Sequence, residues 1–252
     1  MKTTPESILP ILNVRAGDVA ERMLVVGDPA RAERISERLE SPREISRNRE
    51  YVLFGGRHAG VEIGVVSHGV GSAGAAVCFE ELCRAGARRL VRAGTCGGMQ
   101  SHIRDGAIVV AHGAARDDGF TPRVMPLGFP ALASVDVVLA LRQAALTAAV
   151  EVIEGVVLTS DLFYPHEVLG GDLAMWSRAG VVAVEMECAA LFITAALHGV
   201  QAGAILTADG NPLAEADEDM AGYDPHRSVV RDAVDAMIGI ALDVVAGPLP
   251  GM

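Results

Sequence analysis

Short Val- and Ile-rich runs, each closed by Gly, Asp or Ser, alternate with helical patterns almost from one end of this chain to the other. Runs of that length and composition read as buried strands, and the stretches between them as helices. The strand candidates are Met23–Gly27, Tyr51–Phe54, Val61–Ser67, Arg89–Gly94, Ala107–Ala111, Gly155–Ser160, Val181–Val184 and Gly203–Ala208. The helix candidates are Pro29–Leu39, Ala73–Ala85, Ser134–Ala149, Met186–His198 and a last one from about Pro225 to Val245. In that last helix Asp224 stands as N-cap and Pro225 takes the favoured first position. Such alternation predicts an α/β fold with a mixed, mostly parallel central sheet wrapped by helices. No repeat or low-complexity linker divides the chain, so residues 1–252 are expected to form one domain. Ligands of such sheets sit at the carboxyl ends of the strands. The chemistry is to be sought there.

Composition removes several function classes. A formal charge of −11 leaves no basic surplus to displace counterions from a nucleic-acid backbone. Cys78, Cys83, Cys96 and Cys188 make no C-x-x-C pair and have no histidine cluster at zinc spacing, so free thiols and no metal are expected. A basic leader with an apolar run is missing at the start, and no apolar stretch is long enough to span a bilayer. The expectation is a soluble cytoplasmic protein without membrane or nucleic-acid partners.

Six stretches near strand ends carry residues suited to contact a small ligand. Gly27-Asp28-Pro29-Ala30-Arg31 joins a close-approach glycine to a helix start and a guanidinium fork, although an ordinary turn fits as well. Gly69 to Gly74 matches the dinucleotide fingerprint in form. Where that motif needs an acidic residue, at the end of the next strand, stands Arg92, and a turn serving tight strand–helix packing or another small ligand is the better reading. Arg92 to Gly98 then offers an arginine, the Thr95 hydroxyl and free amides, enough to hold a tetrahedral anion from several sides; Cys96 has no histidine partner and reads as packing. Phe163 and Tyr164 can stack on a base or simply fill core. Glu185 and Glu187 stand at a strand-to-helix junction in apolar surroundings, where they either accept bonds from sugar hydroxyls or satisfy a helix start. Asp209 closes an apolar run, well placed to exchange a proton, and the acidic stretch Asp209 to Asp224 reads as a loop, either a solvated surface or a mobile lid.

Together these blocks resemble the nucleoside phosphorylase family of purine nucleoside and uridine phosphorylases. They occur in that family's order: GDPARA (27–32), NREY (48–51), SHGVGSAGAAVCFEEL (67–82), RAGTCGG (92–98), TSDLFYP (159–165), VEMECAALF (184–192) and TADG (207–210). The stretch Val66 to Gly97, with Arg49-Glu50-Tyr51 and Asp209-Gly210, looks most similar to the purine enzymes of apicomplexan parasites. The family resemblance implies the single-domain nucleoside phosphorylase fold and phosphate ligands at Gly27, Arg31, Arg92 and Thr95, with Arg49 lent across a dimer interface. It also implies ribose contacts from Met186 and Glu187, base-site walls from Phe163 and Val184 with Glu185 beside them, and Asp209 as the acid at purine N7. A homohexamer built as a trimer of dimers, small-molecule nucleoside and phosphate as partners, and no cofactor complete the expectation.

The chain departs from the family pattern in three places. The Gln and Arg that read uracil in uridine phosphorylases are missing from Pro165-His166-Glu167-Val168-Leu169. On the last helix, Val230 occupies the place of an assisting arginine, with Arg231 one position off. The N-terminal histidine expected at a neighbour's ribose 5′-hydroxyl is replaced by Ile11 or a close neighbour: either an apolar residue of Ser7–Val14 lines the 5′ end, or water or a histidine such as His68 satisfies the hydroxyl. Uridine phosphorolysis, methylthio-purine phosphorolysis or hydrolysis, and idle nucleoside binding are the alternative functions.

Overall fold

A computed structural model describes residues 3–165, 168, 170–213 and 227–248. The strands are β1 (Ile8–Leu9), β2 (Val14–Arg15), β3 (Arg22–Val26), β4 (Glu40–Asn48), β5 (Tyr51–His58), β6 (Val61–Ser67), β7 (Arg89–Gly98), β8 (Ile108–Asp117), β9 (Ala131–Leu132), β10 (Val152–Ser160), β11 (Ala183–Glu185) and β12 (Gln201–Gly210). The helices are α1 (Pro29–Ser36), α2 (Ser72–Ala85), α3 (Thr121–Val124), α4 (Val135–Thr147), α5 (Leu173–Arg178), α6 (Cys188–His198) and α7 (Ser228–Ala246).

Apart from the small β1–β2 hairpin, the strands form one sheet in the order β11-β10-β8-β12-β7-β3-β6-β5-β4, with β9 beside β8. A further pairing of β11 with β7 closes β7, β12, β8, β10 and β11 into a ring. From that ring β3, β6, β5 and β4 extend as an open wing. Pairing is parallel at β3–β6, β3–β7, β7–β12, β8–β10 and β10–β11. It is antiparallel at β4–β5, β5–β6, β7–β11, β8–β9 and β8–β12, which makes the sheet mixed. Helices pack on it from both the ring and the wing, and one buried apolar cluster runs from Leu9 to Val245.

Local sequence explains the elements that matter for function. Asp28 caps α1 by accepting the Ala30 N–H at 2.9 Å, with Pro29 at the first position. In α2 the buried residues Ser72, Ala75, Ala76, Phe79, Leu82 and Cys83 recur at helical spacing, and left-handed Gly86 ends the helix. Every residue of α6 from Cys188 to Ala195 is buried, so this helix is a core element on all sides.

All eight expected strands and all five expected helices are present, with ends differing by a few residues. Asp224 and Pro225 lie outside the described residues, and so does most of the acidic stretch after position 213. Its first two residues contradict the loop expectation. Asp209 and Gly210 belong to β12, because pairing with β7 continues to Gly97. Likewise Thr95 to Gly98 lie within β7 and not beyond it. The charged β4 escaped notice because its outward residues carry no apolar alternation, as suits a sheet-edge strand.

Candidate functional site

One cavity of about 1080 Å³ opens where β3, β7, β11 and β12 end, large enough for a nucleoside and an anion together. Gly27, Arg31, Arg92 and Thr95 line it, as do Phe163, Val184, Glu185, Met186, Glu187 and Asp209. Of the site residues that the resemblance implies, Arg49 alone stands apart. It sits exposed at the tip of the β4–β5 hairpin, in the left-handed region at φ +54°. Its backbone neighbour Asn48 donates its side-chain amide to the Ile11 carbonyl at 2.7 Å, which ties the hairpin to the N-terminal segment.

Arg31 and Arg92 meet the cavity in different states. Arg31 is half-buried and makes no hydrogen bond or ion pair among the described residues. Burial lowers its pKa, with Arg92 and Arg34 adding to the shift while Asp28 and Asp209 oppose it. Arg92 is buried and tightly held. Its Nη2 donates to Glu187 at 2.5 Å, its Nε lies 3.3 Å from Glu185, and its Nη1 donates to His68 at 3.0 Å. Each terminal nitrogen of a guanidinium bears two N–H groups, so each keeps one for a ligand.

The two glutamates separate into two roles. Glu185 accepts the Thr159 hydroxyl at 2.6 Å, the Glu187 N–H at 2.8 Å and the Cys188 N–H at 2.9 Å, and so caps α6. Although it borders the cavity, its oxygens are already occupied. Glu187 accepts the Gly71 N–H at 2.6 Å with one oxygen and Arg92 with the other. Burial raises the Glu187 pKa, with Glu185 adding to this, while Arg92 and the Gly71 N–H pull it down. Gly71 reaches that carboxylate from a backbone at φ +93° and ψ 150°, a conformation essentially confined to glycine. The fingerprint-like Gly69–Gly74 segment is thus a bridge from β6 to α2 that touches the site directly.

Asp209 owes its place to an irregularity. Ala208 pairs with Cys96 and Gly210 with Gly97, so Asp209 is the extra residue of a β-bulge. Bulges re-aim side chains next to sites of this kind. Its side chain is 8% exposed and lines the cavity. Phe163 is 55% exposed and makes an edge contact with Tyr164 at 4.8 Å between ring centres. Cys96 lies in the wall, but burial pushes its thiol well up, which disfavours a thiolate nucleophile. Among the described residues, no cluster of His, Cys, Asp or Glu could hold a metal ion.

His68 is wholly buried, with both ring nitrogens engaged, and does not line the cavity, so it cannot serve a ribose hydroxyl there. Arg231 is exposed and away from the cavity, and Val230 is buried. Residues that the sequence did not single out also reach the cavity: Glu50, Arg104, Asp105 and Arg227, the last two ion-paired.

A family model described as the phosphorylase superfamily matches residues 21–246. The chain belongs to this family. Among phosphorylase relatives, the purine nucleoside phosphorylase of Plasmodium vivax is 37% identical, over 89% of this chain and 90% of that one. A uridine phosphorylase of Treponema pallidum is 35% identical, over 90% and 92%. The crystal structure of a Toxoplasma gondii purine nucleoside phosphorylase, in complex with immucillin-H, superposes with a TM-score of 0.88 at 31% identity, over 98% of this chain and 96% of that one. No helix among the described residues is long and apolar enough to cross a membrane.

Proposed function

We propose that this protein is a purine nucleoside phosphorylase, cleaving the N-glycosidic bond of purine ribo- and deoxyribonucleosides with inorganic phosphate to give free base and pentose 1-phosphate. The observation that carries the reading is Arg31, a half-buried arginine with no ion pair among the described residues, in the same cavity as Arg92 and the bulged Asp209. Phosphate is held by Gly27, Arg31, Arg92 and Thr95, together with Arg49 of a neighbouring subunit. Met186 and Glu187 bind the ribose, Phe163 and Val184 flank the base, and Glu185 keeps the start of α6 in place beside them.

Bond cleavage builds positive charge on the ribose and negative charge on the departing base. Phosphate fixed beneath the anomeric carbon favours the cation, and positioning of this kind contributes on the order of 7–11 kcal/mol. Asp209 protonates the base at N7, a step typically worth about 10²–10⁴-fold. No cofactor or metal takes part. The whole chain, 1–252, works as one domain in a cytoplasmic homohexamer serving purine salvage. Exposed Leu127 (67%) and Leu132 (60%), beside a shallow apolar groove, support burial of this face by assembly.

Uridine phosphorolysis is the second reading, favoured by the Treponema relative. A panel of inosine, guanosine, adenosine and uridine, each with phosphate, separates the two. Base release from the purines at rates well above uridine is expected. Uridine as the preferred substrate would overturn the purine assignment.

A further inference from the structure

His68 is a buried titratable group beside the site that the mechanism above leaves without a task. It follows β6 directly, is 0% exposed, and lies edge-on to Phe79 at 5.2 Å between ring centres. Burying an imidazole is costly unless both nitrogens are paired, and both are. Nδ1 lies 2.9 Å from the Gly69 carbonyl, which can only accept, so the proton is on Nδ1. Nε2 lies 3.0 Å from Arg92 Nη1, which can only donate, so Nε2 is the acceptor. One tautomer satisfies both contacts, and it is neutral. Burial, reinforced by Arg92 and Arg31, holds the His68 pKa well below its ordinary value, in agreement with that geometry.

A neutral acceptor suits this place. Arg92 already faces two carboxylates, Glu185 and Glu187. A third anion there would make the cluster strongly negative at the end of the cavity meant for phosphate, whereas a cation would repel Arg92 itself. We propose that His68 is a positioning residue for phosphate: its Nε2 fixes the third side of the Arg92 guanidinium, so that the remaining N–H groups face the cavity. The proposal rests on the phosphorylase reading given above.

Three substitutions test it. His68→Phe keeps a ring against Phe79 but removes the acceptor. His68→Asn keeps a polar group near Gly69 but is too short for Arg92. His68→Gln carries an oxygen to the position of Nε2. Because a bond to a charged donor is lost, KM for phosphate should rise on the order of tenfold in His68→Phe and His68→Asn. KM for the nucleoside should stay within about threefold, and His68→Gln should restore phosphate KM to within about threefold of the unsubstituted enzyme. Calorimetric titration of each protein with inorganic phosphate alone should follow the same order. If His68→Phe does not fold, the comparison of His68→Asn with His68→Gln decides. Folded variants with unchanged phosphate KM, or a His68→Gln variant as impaired as His68→Asn, would overturn the role of His68 while leaving phosphorolysis intact. An unsubstituted enzyme indifferent to phosphate would overturn both.

Discussion

Replacing Glu185 by alanine should destabilise the fold far more than a typical substitution at a cavity wall. The carboxylate closes the N-terminus of α6 by accepting the Glu187 and Cys188 N–H groups, accepts the Thr159 hydroxyl and faces Arg92 at 3.3 Å. Loss of a helix cap costs about 0.5–2 kcal/mol. Removing one partner from a buried ionic cluster costs about 3–5 kcal/mol when the other charge is left alone, and Arg92 keeps Glu187. The two effects share groups and do not add in full, so a loss of about 3–4 kcal/mol is expected. For a chain of this size that lowers Tm by roughly 6–16 °C. Glu185→Gln retains an acceptor oxygen for the two N–H groups and should lose about half as much. Urea and thermal unfolding followed by far-UV circular dichroism measure both. A folded Glu185→Ala variant within about 1 kcal/mol of the unsubstituted protein would refute the capping role.

Asp209→Asn should slow inosine cleavage by at least about tenfold, because an amide keeps the shape but donates no acidic proton. The loss should shrink for 7-methylguanosine, whose base leaves without protonation, and equal losses on both substrates would show that Asp209 acts in binding instead. Arg49→Ala and Asp209→Asn proteins, each impaired alone, should regain activity when dissociated and reassembled together, since a mixed interface restores one complete site; no recovery in verified mixed assemblies would contradict a shared site. Ile11, whose carbonyl accepts from Asn48 next to Arg49, should leave the ribose 5′ end in apolar surroundings, so inosine and 5′-deoxyinosine should have similar kcat/KM. A preference for inosine above about a hundredfold, the size expected of a site built to bond a hydroxyl, would refute that placement.

Strands β3, β6, β7 and β12 were legible because each is buried on both faces and therefore reads as an apolar run. The edge strand β4 has no such face, so its charged residues concealed it. Arg31, Arg92 and Asp209 were legible as candidates because they stand out against apolar strand ends, although the bulge that aims Asp209 depends on its register with β7. The division of labour between Glu185 and Glu187 was not legible. Both lie in the same apolar setting, and only the positions of Thr159, Gly71 and Arg92 tell them apart. Nor was the meeting of Asp105 with Arg227, since an ion pair between residues so distant in sequence leaves no local pattern.

The central claim is that Arg31 and Arg92 present phosphate to the anomeric carbon. Following inosine cleavage by ³¹P NMR, with and without inorganic phosphate, tests it most directly. The expected result is one equivalent of ribose 1-phosphate per hypoxanthine released, with cleavage nearly abolished when phosphate is removed. Free ribose at an undiminished rate in phosphate-free buffer would contradict the account and identify a hydrolase instead.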